Sequence, residues 1–135
     1  MRDAFDSDVL IYACAPEHPL GRRVRALFTT KEPDQLAGVG SLLLLPEVLA
    51  KPMRQGATTE VTELVGLLGR LELRGVDPVT AEIAASLASQ YRLKAADAVH
   101  LATAVVADVD RFITNNRKDF PMSISEVDVV YPDML

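Results

Sequence analysis

A chain of 135 residues, 49% apolar and 24% charged, suits one soluble domain with its own core and is too short for two ordinary ones. Its net charge of -5 excludes a surface that holds nucleic acid by blanket attraction, although an acidic site filled by divalent cations reverses its own local sign. The single cysteine, Cys14, excludes an intrachain disulfide and a thiolate cluster, and in "LIYACA" it reads as a small buried hydrophobe of a reducing compartment.

In chain order, "RDAF" is a short strand candidate, and the apolar run "VLIYACA" after it ends at Pro16. "PLGRRVRALFTT" is an amphipathic helix with Leu20, Val24, Leu27 and Phe28 on one face and Arg22, Arg23 and Arg25 largely off it. "LAGVG" is a second strand, and "SLLLLPEVLAKPM" starts a helix near Pro46 that Pro52 should interrupt. "ATTEVTELVGLLGRLEL" has helical spacing at Val61, Leu64, Val65, Leu68 and Leu71, and "RGVDPV" holds a third strand before a turn. "VTAEIAASLASQYR" and "AADAVHLATAVVAD" are consecutive helices broken at "LKA", and "RFIT" and "EVDVVY" are short strands rich in β-branched residues. No stretch approaches the roughly 20 apolar residues that cross a bilayer, and "MRDAFDSD" lacks a signal-peptide core, so no membrane is expected and the chain is read as cytoplasmic.

Strands alternating with helices give an α/β sandwich on a mostly parallel sheet. In such a sheet each crossover helix begins beside the C-terminal ends of the strands, so strand ends and helix starts share one rim. Asp6 ends the first strand, Glu47 lies in the first turn of the helix after the second, Asp97 opens the helix before "RFIT", and Asp119 sits in the loop leaving that strand. Taken singly, each is explained as a cap, a dipole partner or a turn brace. Together they are like charges that cost stability unless a cation compensates, and magnesium or manganese suits carboxylate and water oxygens. Zinc does not fit, because His18 and His100 are not spaced as a pair.

Around these acids, His100 follows Asp97 by one helical turn and is either a packed helix histidine or a contact to the site or its substrate. Ser7 and Asp8 either begin a helix or add hydrogen bonds around a metal-bound water. Lys51 and Arg54 follow Glu47, and Arg117 and Lys118 precede Asp119, where they are either solvated charge or phosphate contacts.

"FDSDVLIYA", "LLLLPEVLAK", "KAADAVHLATA" and "FITNNRKDF" resemble, in order and spacing, the four acidic motifs of PIN-domain nucleases, over nearly the whole chain. The resemblance implies a three-layer α/β/α sandwich with a central five-stranded parallel sheet, and metal-dependent hydrolysis of single-stranded RNA. It carries Asp6, Glu47 and Asp97 to the three acids around the divalent ions, and Asp119 to the more variable fourth position, where Asn115 or Asn116 is the alternative. At Asp8 this chain departs from the asparagine or serine usual in the family. The small size resembles the VapC-like toxins of toxin-antitoxin pairs, which implies an antitoxin partner and a homodimer. Two rival readings stand beside it: a non-catalytic PIN-like module that binds RNA or protein, and a haloacid-dehalogenase-type phosphatase with Asp6 as nucleophile. The phosphatase motif continues with a glycine and a threonine, where Val9 and Leu10 stand here.

Overall fold

A computed structural model describes residues 1–15 and 17–135; Pro16, the expected end of the first apolar run, lies outside the described residues. The chain runs β1 (Asp3–Phe5), α1 (Ser7–Ala13), α2 (Pro19–Thr29), β2 (Gly38–Ser41), α3 (Leu44–Arg54), α4 (Thr58–Leu68), β3 (Leu71–Arg74), α5 (Pro78–Tyr91), α6 (Ala95–Val106), β4 (Arg111–Ile113) and β5 (Asp128–Val130). A short 3-10 helix, Pro132–Met134, follows.

All the strands pair in parallel in the order β3-β2-β1-β4-β5, with Ala4 beside Val39 and Phe112 and Phe5 beside Ile113. Alternate residues of a strand face opposite sides, and the two cores follow that period. Ala4, Val39, Phe112 and Val129 pack against Leu87, Leu101 and Ala104 of α5 and α6. Phe5 and Ile113 pack against Val9, Val24, Phe28, Val48 and Leu64 of the four helices on the other face. The result is the expected α/β/α sandwich. Covering both faces is what lets strands this short hold a parallel sheet.

The tightest packing in the α1–α4 layer rests on Gly21, where a Cβ would lie 2.0 Å from the carbonyl oxygen of Tyr12. Only glycine lets α2 cross the end of α1 that closely.

Two expectations are corrected. Pro52 does not interrupt α3, which starts at Leu44 and runs to Arg54. Pro52 falls in the last turn, with only Met53 and Arg54 of the helix after it, and its ring is buried. Pro46 sits within the first turn, where an N–H has no intrahelical acceptor in any case. Leu71 and "LEL" belong to β3, not to the preceding helix, so the third strand ends at Arg74, the first residue of "RGVDPV", rather than lying within that stretch. Leu68 to Leu71 satisfies a helical spacing, but α4 ends at Leu68 and Gly69 caps it.

Candidate functional site

The C-terminal ends of β1 and β4 lie side by side, and each is followed by a polar residue that joins the other. Asp6 follows β1 and caps α1 with its Oδ1, which accepts the Ser7 N–H at 2.8 Å. Its Oδ2 accepts the Thr114 hydroxyl at 2.7 Å, from the residue after β4. Capping and site formation are therefore the same act for this side chain. Asp6 is buried, and burial pushes its carboxyl above the ordinary value, against the lowering pull of the Thr114 bond and of His100.

Asp97, in the first turn of α6, is also held above the ordinary value, first by burial and then by the charges of Asp6 and Asp119. Glu47 adds to the repulsion on both Asp6 and Asp97. Asp97 thus feels the charges of Asp6, Glu47 and Asp119, although the four come from separate segments. Asp119 is held by Asn116, whose Nδ2 donates to Oδ2 at 3.0 Å while its Oδ1 accepts the Asp119 N–H at 3.3 Å.

Asp8 joins this group. Burial and then the Asp6 charge push its carboxyl up to about 7, and Asp97 contributes. Its Oδ2 accepts the Asn115 N–H at 3.1 Å, and its buried Oδ1 has no hydrogen-bond partner among the described residues. His100 is buried, and its Nε2 meets Oε1 of Glu47 across 53 residues of sequence.

The basic residues divide. Lys51 lines the same cleft as Glu47, a space of about 210 Å³ that also takes in Ile11 and Glu60. Arg54 is exposed in the last turn of α3. Arg117 is engaged elsewhere: it donates to Asp133 at 2.6 Å and lies over the Tyr131 ring, 4.4 Å from its centroid. It ties the acidic loop to the C-terminal segment rather than standing ready for a phosphate. Cys14 is only partly buried against the core, not fully as expected, and burial pushes its thiol up to about 11.

Thr114 was overlooked by the sequence reading. The signal was present, because "FIT" ends a strand on the same rim as Asp6, and a hydroxyl there had few other partners to find.

No three His, Cys, Asp or Glu side chains stand together as a ready-made ligand set among the described residues. Asp6 and Asp119 are each tied to hydrogen-bonding neighbours, and Glu47 is tied to His100. The set nevertheless fits a hard divalent ion such as magnesium. Such an ion keeps several waters and needs only one or two direct carboxylates, and its charge would offset the burial and, after it, the repulsion that raise Asp6, Asp8 and Asp97.

The PIN domain family matches residues 4–122, which take in all of these acids. The chain belongs to the PIN domain family. Among solved structures, this PIN domain is similar to a toxin-antitoxin complex from Klebsiella pneumoniae, with 25% identity and a TM-score of 0.74 over 98% of each chain. It shares the fold of VapBC2 from Rickettsia felis, bound to a fragment of its promoter DNA, at 15% identity and a TM-score of 0.74 over 97% of this chain and 98% of that one. The DNA-bound VapBC of Salmonella typhimurium gives 15% identity and a TM-score of 0.74 over 98% of each chain. No curated protein matches the sequence significantly. None of the PIN domain's described helices is long and apolar enough to cross a membrane.

Proposed function

We propose that this PIN domain is the toxin of a toxin-antitoxin pair, an endoribonuclease that uses magnesium or manganese to hydrolyse RNA phosphodiester bonds. What supports the reading is the carboxyl of Asp97, held above its ordinary value first by burial and then by the charges of Asp6, Asp119 and Glu47, acids from other segments of the chain. A protein keeps such a cluster at a cost in stability, and a divalent ion is the ligand that offsets it.

In this reading Asp6, Glu47, Asp97 and Asp119 would hold the ion, which would supply an activated water and charge neutralisation at the phosphoryl oxygens. Thr114 and the Ser7 N–H fix Asp6, Asn116 fixes Asp119, and Lys51 in the Glu47 cleft attracts an RNA phosphate. No side-chain nucleophile is needed. The likeness to the Klebsiella pneumoniae complex supports an antitoxin partner, which by charge complementarity brings a basic segment to the acidic rim.

The deciding experiment is cleavage of a panel of RNAs by purified wild type and Asp97→Asn, in manganese and in EDTA. Metal-dependent cleavage that drops by about a hundredfold or more in the variant is expected. Full metal-dependent cleavage by Asp97→Asn overturns the reading, and manganese binding without cleavage of any RNA selects the binding-only module instead.

A further inference from the structure

We infer that His100 is a positioning residue: from the buried side of α6 its imidazole clamps the Glu47 carboxylate at the rim and so sets the metal affinity of the site. The inference rests on the metal-binding reading above and adds to it the residue that orients one of the acids.

His100 is 2% exposed, whereas the Glu47 side chain is 33% exposed, so the pair spans from the core to the edge of the site. A carboxylate offers only lone pairs, so the imidazole nitrogen facing it, Nε2, carries the proton and donates to Oε1. The other nitrogen, Nδ1, is buried and has no partner among the described residues. Packing alone therefore does not account for the ring, because an apolar side chain would fill the space without leaving a polar atom unsatisfied. What the imidazole gains is Glu47. Glu47 itself gains a fixed point, since it stands on a flexible side chain, repelled by Asp6 and Asp97 and drawn toward water. Holding Oε1 from behind leaves Oε2 for a cation. Hydrogen bonds of this kind to ligating carboxylates commonly tune metal affinity by about 10- to 100-fold.

The test compares His100→Leu, which removes the donor, with His100→Gln, which keeps an N–H at similar reach, each alone and in a Glu47→Ala background. Manganese affinity is read by calorimetry. A loss of about tenfold or more in His100→Leu is expected, with near wild-type affinity in His100→Gln and no further loss when His100→Leu is added to Glu47→Ala. Unchanged affinity in a folded His100→Leu protein, or a full extra loss in the Glu47→Ala background, overturns the positioning role while leaving the metal site standing. If the wild type binds no manganese, both fall. A second measurement needs no metal and no His100 variant: in ¹⁵N-labelled, metal-free protein the His100 Nε2–H resonance should be protected and downfield, and Glu47→Ala should abolish both features. Their absence from the wild type refutes the clamp even if His100→Leu does not fold.

Discussion

The Thr114 hydroxyl donates to Oδ2 of Asp6 at 2.7 Å and accepts the Asn116 N–H at 3.1 Å, so one buried side chain links the acid after β1 to the loop that carries Asp119. Thr114→Val keeps the shape and removes both bonds. It should destabilise the metal-free protein by about 1 to 3 kcal/mol, because a buried carboxylate loses a donor. It should also raise the Asp6 carboxyl further, moving the onset of manganese binding to higher pH. Urea unfolding in EDTA and manganese titrations at several pH values check the two effects, and Thr114→Ser should restore most of both.

Asp8 should make the protein less stable as the solution becomes more alkaline. Its unfolded carboxyl titrates near 3.8, while in the fold burial and Asp6 push it up to about 7. Between those values the folded state binds more protons than the unfolded one, so stability falls as pH rises through that window and stays low above it. Asp8→Asn, neutral throughout, should raise stability at pH 8 by about 1 to 3 kcal/mol in EDTA and flatten the slope. Asp6 and Asp97 are raised in the same direction, so a residual slope should remain. Thermal melts from pH 5 to pH 8 decide this, and a variant with the wild-type slope would show that the Asp8 proton is not involved.

A hard cation should relieve the same repulsion. At a manganese concentration of about 100 times its dissociation constant, the wild type should gain about 2.7 kcal/mol, or roughly 10 °C in melting temperature. Asp97→Asn should blunt that response and raise the metal-free melting temperature by removing a like charge. Asp6→Asn should blunt it as well, but its metal-free gain is offset because it also alters the α1 cap and the Thr114 bond. If manganese shifts neither wild type nor variants, the acids act only as caps and braces.

The rim was legible in the sequence because parallel-sheet geometry does the placing: Asp6, Glu47, Asp97 and Asp119 needed only to be assigned to strand ends and helix starts. The partners of those acids were not legible. Thr114 lies 108 residues from Asp6, and His100 lies 53 from Glu47, so no local period links them. Beside Asn116, Lys118 and Asp119, Arg117 reads as either solvated charge or a phosphate contact, yet the partner that holds it, Asp133, arrives with the C-terminal segment. Leu71 was misassigned because Leu68 and Leu71 fit a helix as well as they fit the end of one and the start of a strand, and the helix stops only at Gly69. Helical spacing also assigned Val65 to the apolar face, but it is exposed.

At the far edge of the sheet, Asp3 and Arg111 pair side by side on β1 and β4, with Nε to Oδ1 at 2.8 Å and Nη2 to Oδ2 at 3.0 Å. Asp3 is buried but Arg111 is only partly so, and Asp3→Ala, which leaves the guanidinium without its bidentate partner yet within reach of water, should cost about 1 to 3 kcal/mol. This loss separates stability from the site. The pair sits at the N-terminal ends of strands whose C-terminal ends carry Asp6 and Thr114, so manganese affinity should stay within about twofold of the wild type at a temperature where the variant is folded. Parallel denaturation and calorimetry on Asp3→Ala check both halves. A manganese affinity that fell with stability would mean that any loosening of the sheet disperses the acids, and affinity losses in the rim variants would then have to be corrected for their own destabilisation.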